Sequence, residues 1–204
     1  MWLRSRVVIL MLVTGAPWVR GEETDAGEGG RYDAYFRRRA WEGMVGVAGM
    51  FSPVVATRGR PQLDYAVAVG QVGYMLTEVA GRGVWRGNWE VVGEVFGGGI
   101  HAGRGSYVSG MTLWGRYNFV PTGVRLSPFA GLGLGCGLGD KDRNVFGGAF
   151  GFNLDAGVGL RCFVGPRTTL VAEYRFQHIS NANLSPHNLG INAHGPMVGL
   201  GWMF

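Results

Sequence analysis

Residues 170–204 read LVAEYRFQHISNANLSPHNLGINAHGPMVGLGWMF, and no other stretch constrains the fold as tightly. Leu170, Ala172, Tyr174, Phe176 and His178 point one way, while Val171, Glu173, Arg175 and Gln177 point the other. A period of two marks a strand that meets a different solvent on each face. His178 and Ser180 fall two apart on the apolar face, just before a polar loop. A base and a nucleophile set among aromatic residues on a greasy surface are what chemistry on a lipid would use.

The rest of the chain repeats the pattern. No segment after residue 40 shows a convincing 3.6-residue period, and about eight runs are separated by turn chemistry. The 38 glycines lie mostly within the runs, which argues against helices and for strongly curved strands. The first run is 44–51, followed by a loop with Pro53 and Pro61. The second, 65–76, changes phase near Gly70 and suggests a bulge there. The third sets Trp89, Val91 and Val95 against Asn88, Glu90 and Glu94. The fourth sets Tyr107, Met111, Leu113, Tyr117 and Phe119 against Ser106, Thr112, Arg116 and Asn118. In the fifth, Ala130, Leu132, Leu134, Cys136 and Leu138 oppose a row of glycines. The sixth sets Phe150, Phe152, Leu154, Val158 and Leu160 against Asn153, Asp155 and Arg161. The seventh and eighth form the C-terminal stretch, the eighth with Val198, Leu200, Trp202 and Phe204.

Periodicity alone does not say which face is inside. A soluble lipocalin-like barrel buries the apolar face, whereas a membrane barrel turns it to lipid and lines its interior with the polar one. Three features favour the membrane. The runs match the length needed to cross hydrocarbon at a tilt. Glycines and charged residues share one face, as the narrow interior of eight strands requires. The chain also ends on an aromatic residue, Phe204, within an alternating strand. The expected fold is therefore all-β, an eight-stranded antiparallel transmembrane β-barrel over 41–204. With both termini in the periplasm, the short connections at 164–167 and around 121–123 are periplasmic, and the loop after Ser180 is external.

The N-terminus reads as an export signal. Arg4 and Arg6 precede an apolar run at 7–13, too short to span a bilayer, and then small residues. The expected organisation is a signal peptide over 1–21 and a flexible periplasmic lead-in over 22–40, with a short helical turn near Tyr35. Removing 1–21 takes away three of the 19 basic residues and no acid, leaving 16 against 14, or +2. So slight a charge is a poor argument for nucleic-acid binding. Lys141 is the lone lysine, so any phosphate contacts would be of the bidentate guanidinium kind. Cys136 and Cys162 fall at opposite ends of neighbouring runs, too far apart to bridge. Cys and His show no zinc-like spacing, and no metal or organic cofactor is expected.

Serine needs a base within hydrogen-bond reach to become a nucleophile. Two apart on one strand, His178 and Ser180 have alpha carbons about 6–7 Å apart, and a bend at the strand end would bring the hydroxyl to the ring. A lone histidine facing hydrocarbon also carries a desolvation cost that calls for a reason. His178-Ile179-Ser180-Asn181-Ala182, followed by Pro186, Asn188 and Gly190, resembles the motif of the lipid A 3-O-deacylases, the PagL-like family. That family is an eight-stranded barrel of the bacterial outer membrane with its catalytic serine and histidine on the lipid-facing wall. It hydrolyses the ester-linked acyl chain at position 3 of lipid A.

The resemblance implies Ser180 as nucleophile and His178 as general base. It makes lipid A of the outer leaflet the substrate, water the final acyl acceptor, and leaves a homodimer open. Asn181 or Asn188, with nearby backbone N–H groups, could stabilise the oxyanion, although Asx turns explain asparagines in such a loop equally well. The family places a glutamate twelve residues after the serine, where this chain has Asn192, and no acid occurs from 181 to 204. Glu173 has the parity of the interior. Either Asn192 orients the imidazole through its amide oxygen, as in Cys-His-Asn sites, or activity is reduced or absent. His101, in a glycine-rich loop, and His187, in the motif loop, have no assigned role. Nor has His194, although it shares the outward parity. Two rivals remain: a non-enzymatic barrel whose site has decayed, and a soluble binder with the faces reversed.

Overall fold

A computed structural model describes residues 32–52, 62–123, 125–141, 147–185, 187 and 190–204. The expected signal peptide and residues 22–31 of the lead-in lie outside them, as do Pro53, Pro61, Pro186 and Asn188. Eight strands close into one antiparallel barrel in chain order. They are β1 (Trp41–Met50), β2 (Leu63–Met75), β3 (Gly87–Gly103), β4 (Gly105–Phe119), β5 (Leu126–Lys141), β6 (Phe150–Phe163), β7 (Thr168–Ser180) and β8 (Ile191–Met203). β1 and β8 close the ring through pairs running from Glu42↔Met203 to Ala48↔Met197.

Alternation decides which wall each side chain faces. Val47, Leu132 and Leu134 stand outward at 59, 68 and 69% exposure, whereas Glu42, Glu90 and Arg161 are 3, 1 and 0% exposed inside. An apolar outer wall around buried charges is the arrangement of a barrel whose external solvent is lipid. This overturns the soluble reading with reversed faces. Aromatic rings mark both ends of the wall: Trp41, Trp89 and Trp202 near the end where β1 starts and β8 finishes (the closing end), Phe51, Tyr107 and Phe150 near the far rim.

Buried charge is tolerated only when paired and hydrogen-bonded. Arg161 meets Glu42 through Nε at 2.8 Å and Nη2 at 2.5 Å. Arg116 lies 3.5 Å from Glu42 and 3.6 Å from Glu90, and donates to Gln71 at 3.0 Å. Arg175 grips Glu94 at 2.9 and 2.7 Å and Glu173 at 2.8 Å. Toward the far rim the interior turns apolar, with Met50, Leu63, Tyr65, Val67, Ile179, Ile191 and Ala193 in one cluster.

That zoning corrects the bulge expected near Gly70. β2 runs through Gly70 in unbroken register with β3, and the shift falls at the far rim, between Asp64 and Tyr65. Tyr65, Val67 and Val69 face inward like Gln71 after them. The hydrophobic phase changed because the interior changes polarity with height, while the backbone kept its period.

Connections also differ from a simple short-below, long-above rule. Residues 164–167 and 120–125 are short, as expected, but the connection at 76–86 on the same end is longer and carries a 3-10 turn at Gly83–Trp85. On the far side β3 and β4 join through Arg104 alone, so His101 belongs to β3 and not to a loop. The end of the lead-in is packed. A 3-10 turn, Ala34–Phe36, sets Phe36 at 1% exposure among Met75, Val120, Phe163 and Met203. Asn88 Nδ2 donates to the Phe36 carbonyl at 2.5 Å, and Arg86 pairs with Asp33 at 2.7 Å. Cys136 and Cys162 are free, opposite Phe152 and Leu126 at either end of the β5–β6 ladder.

Candidate active site on the outer wall

His178 and Ser180 occupy the last outward positions of β7, at the rim away from the closing end. Each has an apolar neighbour on β6: Leu154 opposite His178 and Phe152 opposite Ser180. On its other side His178 faces Asn192 of β8. Direct cross-strand partners bring side chains into contact, and here His178 Nδ1 and Asn192 Oδ1 are 2.6 Å apart. An amide oxygen only accepts, so Nδ1 carries the proton and Nε2 keeps its lone pair. That is the tautomer a general base requires.

The ring leans toward the rim. A Cβ built on Gly190 would sit 3.1 Å from His178 Cε1 and 3.6 Å from Nε2. Since Ile179 pairs with Ile191, Gly190 is the position that would face Ser180 if the ladder continued one residue. The basic nitrogen is thus aimed at the row that holds the hydroxyl. Gly190 has φ +61°, where a side chain would add strain as well as crowd the ring. Among the described residues, no hydrogen bond joins Ser180 Oγ to the ring.

The loop after Ser180 is braced locally. Leu184 N donates to the Asn181 carbonyl at 3.1 Å, with Ala182 and Asn183 at φ 51° and 62°, a type I′ turn. Asn181 is 5% exposed; its Oδ1 accepts from Asn183 N at 2.9 Å and its Nδ2 donates to the His187 carbonyl at 2.9 Å. The amide oxygen thus closes an Asx turn and the amide nitrogen ties the loop to His187. Asn188 lies outside the described residues. Glu173 faces the interior, bound to Arg175, and is no partner for His178. Among the described residues, no three His, Cys, Asp or Glu side chains gather as metal ligands would.

Two features went unassigned in the sequence. Gly190 stood in the motif without a role, and its positive φ beside the ring supplies one. His194 lies two residues beyond Asn192 on the same face, and its Nδ1 is 2.5 Å from the Tyr174 hydroxyl. Parity put both on the outer wall, but their contact depends on the β7–β8 register, which periodicity alone leaves open.

Comparison with known proteins bears on both fold and family. The barrel resembles the outer membrane enzyme PagL, with a TM-score of 0.53 at 16% identity over 77% of this chain and 97% of that one. It also resembles Neisserial surface protein A, with a TM-score of 0.54 at 14% identity over 81% and 99%. The N-terminal β-barrel domain of Pseudomonas aeruginosa OprF matches at a TM-score of 0.51, 16% identity, over 82% and 98%. At such identities these likenesses speak for the fold alone. No curated protein matches the sequence. Residues 62–201 match the family model described as lipid A 3-O-deacylase (PagL), a span that includes β2 to β7, most of β8 and both His178 and Asn192. The chain is therefore a β-barrel of the bacterial outer membrane and belongs to the lipid A 3-O-deacylase family.

Proposed function

We propose that this barrel is a serine esterase that removes the 3-O-linked acyl chain of lipid A, with Ser180 as nucleophile, His178 as base and Asn192 as the residue that orients the base. The observation that carries the reading is the His178–Asn192 hydrogen bond of 2.6 Å on the outward wall. It leaves the free lone pair on the ring edge nearest the Ser180 row. A dyad that is open without substrate closes when the ester binds, as catalytic hydrogen bonds commonly tighten only in the complex.

Ser180 Oγ attacks the ester carbonyl while its proton passes to His178 Nε2. The tetrahedral intermediate collapses, and the sugar oxygen leaves with that proton. Water, deprotonated by the same nitrogen, then releases the fatty acid from Ser180. The ester is presented at the rim, with its acyl chain lying down the apolar wall formed by Phe152, Leu154 and Phe176.

The rival reading, a barrel with a decayed site, draws on Asn192 itself, because an amide fixes a tautomer without neutralising an imidazolium. Mass spectrometry of lipid A from cells expressing the parent or Ser180→Ala separates the two. The expected result is loss of one acyl chain with the parent alone. Unchanged lipid A in both, with the barrel present in the outer membrane, sinks the esterase reading.

A further inference from the structure

The closing end of the barrel, opposite Ser180, carries charge that the fold does not use. Every connection there presents arginine. Three stand in a row at 37–39 before β1, Arg82 lies between β2 and β3, Arg125 between β4 and β5, and Arg167 between β6 and β7, all exposed. Among the described residues, two acidic side chains lie on these connections, Asp33 and Glu78. Asp33 is taken by Arg86 at 2.7 Å, and Glu78 accepts from the backbone N–H of Arg38 at 3.3 Å. The side chains of Arg37, Arg39, Arg82 and Arg167 have no hydrogen-bond or ion-pair partner among the described residues. Arg39 also holds a φ of 72°, an uncommon state for a residue with a side chain.

Beside the arginines stands a braced apolar tip. The 3-10 turn Gly83–Trp85 leaves Val84 78% and Trp85 71% exposed. Two hydrogen bonds of 2.9 Å between Ala80 and Gly87 close its stem. The Tyr117 hydroxyl donates to the Trp85 carbonyl at 2.7 Å, and the rings of Trp85 and Phe119 lie 6.3 Å apart. Tyr117 and Phe119 belong to the outward face of β4, where Tyr117 also meets Trp89 at 5.1 Å. The turn is therefore held on the lipid side of the wall, at the height of the aromatic girdle. Tryptophan at that height meets apolar chains and headgroups together. A guanidinium matches a phosphate with two parallel hydrogen bonds.

We propose that the closing end is a docking surface for anionic phospholipid in the leaflet opposite Ser180, with the unpaired arginines on the phosphates and Val84 and Trp85 among the first acyl carbons. Glu22, Glu23, Asp25 and Glu28 of the lead-in match the arginines in charge, but carboxylates do not cover an exposed valine and tryptophan. The surface takes no part in ester cleavage, and its lipid shell stands or falls apart from the esterase reading.

The test places the full exported chain in bilayers of equal phosphatidylglycerol and phosphatidylcholine, releases it in mild detergent and counts the retained lipids by native mass spectrometry. Heat-modifiable gel mobility confirms the folded barrel. An arginine at an anionic surface adds about fivefold to binding, so the parent is expected to retain phosphatidylglycerol over phosphatidylcholine by at least about fivefold. The combined variant Arg37→Gln/Arg39→Gln/Arg82→Gln/Arg167→Gln is expected to bring that ratio within about twofold of one. Should it not fold, Arg82→Gln and Arg167→Gln singly, each expected to lower the ratio, decide instead. Trp85→Ala is expected to reduce the number of phosphatidylglycerol molecules retained. Equal retention of the two lipids by the parent, or a ratio that survives the arginine substitutions, overturns the proposal. So does unchanged retention in Trp85→Ala. A preference absent from the parent that emerges in Glu22→Gln/Glu23→Gln/Asp25→Gln/Glu28→Gln would assign the arginines to the lead-in and overturn lipid docking.

Discussion

Asn192 is where the esterase reading is most exposed to refutation. Its Oδ1 lies 2.6 Å from His178 Nδ1, so Asn192→Asp keeps the shape and the acceptor while adding a charge. As Ser180 gives up its proton, the ring becomes an imidazolium, and only then does the new carboxylate act more strongly than the amide. A neutral hydrogen bond contributes about 1 kcal/mol net and one to a charged group about 1.5–3 kcal/mol. The surplus of about 0.5–2 kcal/mol falls on the transition state and corresponds to about 2- to 30-fold in kcat. An amide can also flip and present its NH2 to the ring, which would put the proton on Nε2 and silence the base; a carboxylate cannot. Asn192→Ala removes the brace, and misplacement of the ring by about an ångström costs about 100-fold. Fatty-acid release from lipid A in mixed micelles gives kcat for the parent, Asn192→Asp, Asn192→Glu and Asn192→Ala. If Asn192→Asp leaves the rate flat and Asn192→Ala stays within about twofold of the parent, the bond plays no part in catalysis and the assignment is refuted. A gain of about 10,000-fold, the scale on which triads depend on their carboxylate, would instead identify the parent as a decayed site.

Two further outcomes follow from the packing. Gly190→Ala puts a Cβ 3.1 Å from His178 Cε1 at a φ of +61°; fatty-acid release is expected to fall at least tenfold, with a stability loss of only about 1 kcal/mol by urea titration. Glu42→Gln leaves Arg161 buried without its bidentate carboxylate, and urea unfolding in detergent is expected to show a loss of about 3–5 kcal/mol with little change in activity per folded barrel. A loss below about 1 kcal/mol would mean that Glu90 takes over the pairing.

Much of this molecule was legible beforehand because a barrel repeats one rule. Strict alternation put Glu90, Arg116 and Arg161 inside and Leu113, Leu134 and Val158 outside, and the structure keeps every one of them there. The same parity placed His178 and Ser180 on one wall, and the ladder makes His178 and Asn192, singled out by the family resemblance, direct partners. What alternation cannot carry is height. It took the change from apolar to polar interior along β2 for a bulge, because hydrophobicity stood in for direction. Nor could it foresee that Phe36, in a charged and aperiodic lead-in, would pack against Met75 and Phe163. Asn181 shows a third limit. A loop asparagine can serve a substrate or its own backbone, and only the turn geometry at Ala182 and Asn183 shows which partners its amide takes.

The filled interior has a consequence for how this protein meets its substrate. With Arg161, Glu42 and Arg116 interlocked across the axis and Phe36 seated beneath them, the barrel is a post and not a pipe. On the esterase reading proposed above, a lipid reaches Ser180 by sliding sideways through the leaflet, so encounters are two-dimensional. The rate then follows the mole fraction of substrate in the surface rather than its molarity in the flask. Adding inert detergent at constant total lipid should slow the reaction as surely as removing substrate does.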